Sequence, residues 1–169
     1  MGILHTYDAD VVWTGARGVG TVSYTAYGRD HDVLLAGKPP LPGSSDAAFR
    51  GDPGRYSPEE LLVAAVAQCH MLWFLHLAAT AGVIVVAYRD HATGRMRVES
   101  AGHGQFTDVV LRPAVTVAPR DGTVTGDDEL AALHAGAREH CFIARSVNFP
   151  VRHDPAPVTV SALATRPDA

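Results

Sequence analysis

Two cysteines, Cys69 and Cys141, are the residues of this chain best suited to chemistry, and the chain has no others. Cys69 lies in the most apolar stretch, residues 61–79, and Cys141 closes a later helical pattern. A thiolate can attack a peroxide, and a second thiol nearby can trap the product as a disulfide. Free cysteines also serve as small core hydrophobes, so an inert buried pair stays open at this point.

Length and composition are typical of one globular domain. The chain has 169 residues, 47% of them hydrophobic, so we expect a single domain over residues 1–169. Its net charge of −4 gives no electrostatic case for nucleic acid. Residues 1–10 lack the cationic start and apolar run of a secretory signal, so we expect a cytoplasmic protein without a structural disulfide framework.

The apolar stretch 61–79 is long enough to raise the question of a membrane span. Gln68, His70 and His76 interrupt it, and it is the only such segment. A helix that is apolar nearly all round is also typical of the buried centre of a soluble fold. We therefore expect burial in protein and no membrane partner.

Strong boundary signals define the helix that carries Cys69. Ser57 can cap it, Pro58 suits its first position, and Glu60 completes a capping box. Gly82 should end it after about residue 81. A second helix is predicted over residues 128–140, with Asp127 as its cap. Its apolar stripe consists of Leu130, Leu133, Ala137 and Cys141, which turns Cys141 inward.

The remaining pattern is of strands and loops. Residues 6–14 and 21–27 predict an N-terminal hairpin that turns at 15–20, and 38–56 predict a long loop. Further strands are predicted at 83–89, 95–106, 109–118, 147–153 and 158–163. Strands, a long helix, strands, a helix and strands together indicate the α+β class.

The block from Ser57 to Cys69, SPEELLVAAVAQC, resembles the signature helix of the OsmC/Ohr family, roughly N/S-P-E-x-L-x-x-A-x-x-x-x-C. A second cysteine near the end of a later helix is similar to the family pattern, as is the turn from Thr14 to Arg17, TGAR, which resembles T-G-G-R. The resemblance implies an OsmC-like fold, with antiparallel sheets around a long buried central helix. It also implies an intertwined homodimer with active sites at the subunit interface.

The same resemblance implies a thiol-dependent peroxidase that reduces organic hydroperoxides. By position, Cys69 would be the attacking cysteine and Cys141 the resolving one. Arg17 would stabilise the Cys69 thiolate, and Glu59 would hold Arg17 in place. The implied reductant is a small dithiol such as a lipoyl group, and no cofactor or metal is implied.

The requirements of the chemistry agree with this reading. A free thiol has a pKa of about 8.5, and apolar surroundings oppose its ionisation further. A guanidinium is a suitable partner because it stays charged when desolvated, and Arg29 is a second candidate beside Arg17. Glu59 and Cys69 are ten residues apart, about 15 Å along a straight helix, so one Arg cannot touch both in one chain. If both serve one site, either a second subunit supplies one of them or Arg17 moves between them, and we expect the second subunit.

One departure from the family pattern keeps alternatives open. Hydroperoxide reductases commonly read C-P-Y/V-S at the second cysteine, whereas this chain reads CFIARS from Cys141 to Ser146. A redox-sensing or binding dimer with little turnover therefore remains an alternative to the enzyme. Met71, Trp73, Phe74 and Phe142 are candidates for lining an apolar pocket near the thiols.

The histidines next to the cysteines are candidate metal ligands. Cys69 with His70 and His140 with Cys141 could make a set of four ligands for zinc. Neighbours on a helix point about 100° apart, so each pair would chelate poorly. We expect no metal, and we expect His70 and His140 to be polar neighbours of the thiols or exposed.

Overall fold

The computed structural model describes residues 2–100 and 102–163. Its contacts group into two compact units, residues 1–62 and residues 63–169. Each unit is described by itself below. The mixture of helices and sheets confirms the predicted α+β class.

The first unit contains a three-stranded antiparallel sheet in the order β1-β2-β3. Its strands are β1 (Asp10–Trp13), β2 (His31–Leu34) and β3 (Leu41–Gly43). The hairpin predicted over 6–14 and 21–27 is therefore wrong in its second strand, because residues 21–27 are turns. The Trp13 indole donates to the Gly28 carbonyl, 2.9 Å away, and holds the connection against β1.

The segment 38–56, predicted as a loop, contains β3 and one turn of 3-10 helix, Ala47–Phe49. The Asp46 carboxylate caps that turn by accepting from the Ala48 amide at 2.7 Å. Ser44 is fully buried, and its hydroxyl donates to Asp30 and accepts from the Asp52 amide. The segment is therefore tied down at its middle.

Helix α1 runs over Pro58–Ala81 as one unbroken helix of 24 residues. Its start confirms the capping box, since the Ser57 amide donates to Glu60 Oε2 (2.8 Å) and the Glu60 amide to Ser57 Oγ (3.2 Å). Gly82 follows with φ of +78°, a left-handed conformation that favours glycine and ends the helix as predicted.

The second unit contains two three-stranded sheets. Their strands are β4 (Ile84–Asp90), β5 (Thr93–Val98), β6 (Gly104–Leu111), β7 (Pro113–Ala118), β8 (Val151–His153) and β9 (Thr159–Val160). The orders are β4-β7-β9 and β5-β6-β8. Strand β8 pairs in parallel with β6, and β9 pairs in parallel with β7, whereas the other two pairs are antiparallel.

The two strands predicted over 95–106 and 109–118 are three strands in the structure. A tight turn interrupts the first, where the Glu99 amide donates to the His103 carbonyl at 2.7 Å and Gly102 adopts φ of +83°. The predicted junction at 107–108 instead lies inside β6. The missed signal is Gly102, whose positive φ suits a turn.

Helix α2 spans Asp127–His140, and Cys141 is its C-terminal cap residue. Asp127 is its first helical residue rather than its cap, because Gly126 occupies the cap position. The Asp127 carboxylate instead accepts from the Val158 amide at 2.7 Å. The buried side chains of α2 are Leu130, His134 and Ala137, and Cys141 lies on the same face.

Burial of α1 within one chain is confined to a single stripe. That stripe consists of Val66, His70, Phe74 and Ala78. Phe74 and Ala78 pack in a core with β7 and α2, and Val66 packs in a second core with Val109 and Leu111 of β6. Elsewhere the helix is half-buried or exposed, with Leu72 60% exposed. Among the described residues, α1 is the one helix that has the length and composition to cross a membrane.

Candidate active site

The structure brings Cys69 and Cys141 together. Cys69 projects from the middle of α1 and is half-buried, and Cys141, at the end of α2, is 1% exposed. Both are free thiols. They are close enough for the Cys69 side chain to influence the pKa of Cys141 through hydrogen bonding and charge. Of all the sequence predictions for the site, this proximity matters most for redox chemistry.

Burial raises the pKa of Cys141 to about 11. The neighbouring Cys69 side chain raises this pKa further, while the backbone N–H groups of Ala144 and Ile143 act in the opposite direction. At neutral pH Cys141 is therefore a protonated thiol. The backbone around it is well defined, since its carbonyl accepts from the Arg145 amide at 3.1 Å.

An aromatic cluster adjoins the thiols. Trp73 lies one helical turn after Cys69, and its ring centroid is 5.4 Å from Phe142 and 4.9 Å from His140. Phe142 is 66% exposed, so the cluster is open to solvent. Phe74, also considered for a pocket, lies instead in the core between Tyr88 and His134.

Arg17 lies in the first unit, in the turn after β1, with φ of +50°. Its side chain is exposed and runs over Gly28, where an added Cβ would lie 3.2 Å from the guanidinium. Any larger residue at that position would push the arginine side chain aside. Glycine at position 28 therefore keeps space for Arg17.

Arg29, the alternative thiolate partner, is engaged within its own loop. Its guanidinium donates to the carbonyls of Tyr27 and Tyr24, at 2.7 and 2.9 Å. It also lies over both tyrosine rings, 4.1 and 4.4 Å from their centroids. These contacts occupy the charge of Arg29 locally.

Glu59 lies in the first turn of α1 and is half-buried. Its Oε2 atom is buried and has no hydrogen-bond partner among the described residues. No ion pair joins it to Arg17 within the part of one chain that the structure describes. A buried carboxylate oxygen without a partner is costly, which suits a residue that receives its partner from elsewhere.

The sequence did not predict a chain of three histidines in the second unit. His153 Nε2 lies 3.1 Å from His70 Nδ1, and His70 Nε2 lies 3.0 Å from His134 Nδ1. His70 is fully buried and His134 is 4% exposed. Of the two alternatives stated for His70, exposure is wrong, because the ring is buried and hydrogen-bonded to His134 and His153. His140 is exposed, as one of the two alternatives stated, and also contacts Trp73.

Burial lowers the pKa values of these histidines, to about 3 for His70 and about 4 for His134 and His153. The three are therefore neutral at pH 7. His70 contacts His134 through Nε2 and His153 through Nδ1, so the ring nitrogens of the three histidines do not converge on one point. Across residues 2–100 and 102–163, no group of three or more His, Cys, Asp or Glu side chains has the arrangement of a metal site.

Comparison with known proteins identifies the family to which a chain with this fold and this pair of thiols belongs. The family of OsmC-like proteins matches residues 51–155, and this chain belongs to that family. The resemblance drawn from residues 57–69 is thereby confirmed. No curated protein matches the sequence.

Several solved structures have the same fold. An OsmC-like protein of unknown function from Vibrio cholerae is 30% identical, with a TM-score of 0.81, covering 90% of this chain and 100% of that one. The organic hydroperoxide resistance protein OsmC from Legionella pneumophila is 18% identical, with a TM-score of 0.65, covering 95% and 100%. The organic hydroperoxide resistance protein OhrB of Bacillus subtilis is 16% identical, with a TM-score of 0.58, covering 94% and 100%. The last two similarities establish the fold.

Proposed function

We propose that this protein is a thiol peroxidase that reduces organic hydroperoxides to alcohols. The observation that carries the proposal is the pair of free thiols of unequal exposure, Cys69 half-buried and Cys141 buried beside it. Family membership and the names of the Legionella and Bacillus proteins support the same substrate class.

The reaction proceeds in three balanced steps. The Cys69 thiolate attacks the distal peroxide oxygen, the O–O bond breaks, and the alkoxide takes a proton and leaves as the alcohol. The resulting Cys69 sulfenic acid condenses with the Cys141 thiol, which forms the disulfide and releases water. A dithiol reductant then attacks the disulfide, returns both cysteines to thiols and becomes a disulfide itself.

The aromatic cluster supports an organic substituent on the peroxide. Trp73 and the 66% exposed Phe142 offer apolar surface next to the thiols. Burial of an alkyl or aryl group there contributes about 25 cal/mol for each Å² removed from water, which hydrogen peroxide cannot gain. The proposal therefore includes a preference for organic over inorganic peroxide.

Two further residues belong to the proposal through the family resemblance. Arg17 stabilises the Cys69 thiolate, and Glu59 holds the guanidinium of Arg17. The buried, unpartnered Oε2 of Glu59 is consistent with such a partner. Glu59 and Cys69 are ten residues apart on the unbroken helix α1, about 15 Å, so the proposal assigns them to different subunits of one site.

The active form in this proposal is a homodimer in the cytoplasm, not associated with a membrane. Its support is the apolar surface of α1 outside the buried stripe, including Leu72 at 60% exposure. An apolar surface of this kind is typical of a protein interface. The reductant is a small dithiol, such as a lipoyl group, whose identity follows from the resemblance alone.

A redox-sensing dimer with little turnover is the second candidate, and the burial of Cys141 favours it. A Cys141 sulfur that is 1% exposed restricts attack by a reductant on that side of the disulfide. In that case the protein would be oxidised once and stay oxidised.

One experiment separates these functions. The intact reduced protein is treated with one equivalent of tert-butyl hydroperoxide and examined by mass spectrometry, and then supplied with dihydrolipoamide and excess peroxide. The peroxidase loses two hydrogens, mapped to Cys69 and Cys141, and then consumes peroxide continuously. A single oxidation without turnover identifies the sensor. Unchanged thiols after peroxide would refute both.

A further inference from the structure

The chain His153–His70–His134 joins α1 and α2, the two helices associated with the thiols, to β8. His70 follows Cys69 on α1, His134 lies on α2 seven residues before Cys141, and His153 lies on β8. Seven residues are about two helical turns, so His134 and Cys141 share one face of α2. The hydrogen bond between His70 and His134 therefore ties the helix of one thiol to the helix of the other.

Neutral imidazoles can make both hydrogen bonds among the three histidines. Each neutral ring has one N–H and one acceptor nitrogen, so two links need one donor and one acceptor each. The requirement is met when the N–H groups donate from His153 towards His134, and equally when they donate from His134 towards His153. The ring planes of His70 and His134 are 9° apart, which suits a hydrogen bond that lies in both planes.

The other described contacts between α2 side chains and α1 are apolar or aromatic and are not hydrogen bonds; His140, beside Cys141, contacts Trp73 with ring centroids 4.9 Å apart. Leu130 and Ala137 pack in the apolar core, and Gly136 is so close to α1 that an added Cβ would lie 3.1 Å from Leu77 Cδ1. Apolar contacts of this kind tolerate small shifts of a helix along its neighbour. Within residues 2–100 and 102–163, the other hydrogen bond from an α2 side chain to a separate segment is that of Asp127 with the Val158 amide, at the opposite end from Cys141.

We propose that His134, held by His70 and through it by His153, is a positioning residue that sets the approach of the Cys141 sulfur to the Cys69 sulfur. Disulfide formation requires Cβ atoms within about 4.5 Å and a restricted dihedral angle, so a small shift of α2 slows it. The proposal deepens the proposed function because it concerns the resolving step. Its test, however, does not depend on peroxidase activity.

The test is the rate of Cys69–Cys141 disulfide formation by diamide. Diamide takes two electrons and two protons from the thiols into its N=N bond, so no peroxide is needed. His134→Asn keeps a polar amide where Nδ1 lies, and His134→Leu removes it. His134→Gln keeps the amide but adds a methylene, so its polar atoms miss that position unless α2 moves. His103→Leu, at an exposed histidine of the turn before β6, is the matched control.

The expected slowing for His134→Leu is roughly tenfold, the fold-change that one lost buried hydrogen bond produces. His134→Asn should retain most of the wild-type rate, His134→Gln should be intermediate, and the control should match wild type. In each variant, iodoacetamide should modify Cys69 at the wild-type rate, because that thiol reacts without Cys141. A general loosening of structure would instead change both rates together. If His134→Leu does not fold, as judged by thermal melting, the comparison of Asn with Gln decides.

The outcomes separate this inference from the peroxidase. Equal diamide rates in wild type and folded His134→Leu, or no recovery in His134→Asn relative to Gln, would overturn the positioning role and leave the peroxidase intact. A wild-type protein that forms no disulfide with diamide would also overturn it. A protein that follows the expected diamide order but ignores peroxides would refute the peroxidase and support the positioning role.

Discussion

Cys141 is 1% exposed, and Cys69, the side chain that helps raise its pKa, is half-buried. A reagent from solvent therefore meets Cys69 first and Cys141 only through movement of the chain. This order of access agrees with the division into an attacking and a resolving thiol. It can also be tested by the rates at which the two thiols are alkylated, which do not depend on the identity of the substrate.

Substitution of the two cysteines should have different effects. Cys69→Ser should abolish consumption of organic hydroperoxide, because the attacking sulfur is lost. Cys141→Ser should permit one oxidation per subunit but no recycling through the disulfide, with a sulfenic acid that dimedone traps at Cys69. Peroxide consumption and mass spectrometry give both results. Full turnover by Cys69→Ser would show that the roles are wrongly assigned.

Alkylation should follow the exposure and ionisation of the thiols. Burial raises the pKa of Cys141 to about 11, so its thiolate fraction and its alkylation rate should keep rising with pH up to that value. At pH 7 we expect iodoacetamide to modify Cys69 and to leave most of Cys141 unmodified. Peptide mapping after timed alkylation from pH 7 to pH 10 measures this. Equal labelling of the two cysteines at pH 7 would contradict the buried position of Cys141.

Arg17 and Arg29 form a matched pair for testing the thiolate partner. In the proposed site, Arg17→Ala removes the guanidinium assigned to the Cys69 sulfur, so alkylation of Cys69 at pH 7 should slow by roughly tenfold or more. Arg29→Ala should leave that rate unchanged, because Tyr24 and Tyr27 already hold its guanidinium. The measurement is the pH profile of Cys69 alkylation in a Cys141→Ser background. The reverse pattern would assign the role to Arg29.

The buried histidines should make the protein less stable in acid. Their pKa values fall from 6.5 to about 3 or 4 on folding, so between pH 6.5 and pH 4 the unfolded chain binds more protons. The free energy of unfolding should therefore be fully retained above pH 6.5 and decrease as pH falls below it. Each differential proton contributes about 1.4 kcal/mol per pH unit. His153 is only half-buried, so solvent screens its interactions and it should contribute less than fully buried His70.

Urea unfolding at pH 7, 6 and 5, followed by tryptophan fluorescence, measures that slope. His134→Asn removes one titrating group and keeps a polar partner, so its free energy of unfolding should depend less steeply on pH. The exposed control His103→Leu should retain the wild-type slope. Parallel curves for wild type and His134→Asn would show that the buried histidine does not couple folding to protonation.

Local signals were sufficient to predict the helices. The capping box of Ser57 and Glu60 and the left-handed Gly82 lie within a few residues of the helix ends that they determine. Residues 21–27, in contrast, have β-branched and aromatic side chains typical of a strand. Tyr24 and Tyr27 instead pack on Arg29, so contacts within the loop override the propensity.

The site was predicted in part, for a similar reason. Cys69 and Cys141 could be paired because the resemblance of residues 57–69 to the OsmC/Ohr signature helix implied an attacking and a resolving cysteine. His134 was missed because its partner His70 is 64 positions away, and the apolar stripe of α2 led us to include Leu133 instead. Leu133 is half-buried and packs at the edge of the core. A single polar residue on a buried face has no local signal that identifies its partner.

The three linked imidazoles also have an evolutionary consequence. Replacement of His70 alone would leave a nitrogen of buried His134 without a partner, at a cost of about 1 to 3 kcal/mol, and would also remove the partner of half-buried His153. Descendants of this lineage should therefore keep all three histidines or exchange them together for apolar residues. Positions 70, 134 and 153 would then be inherited as one unit, although more than sixty positions separate the first from the second.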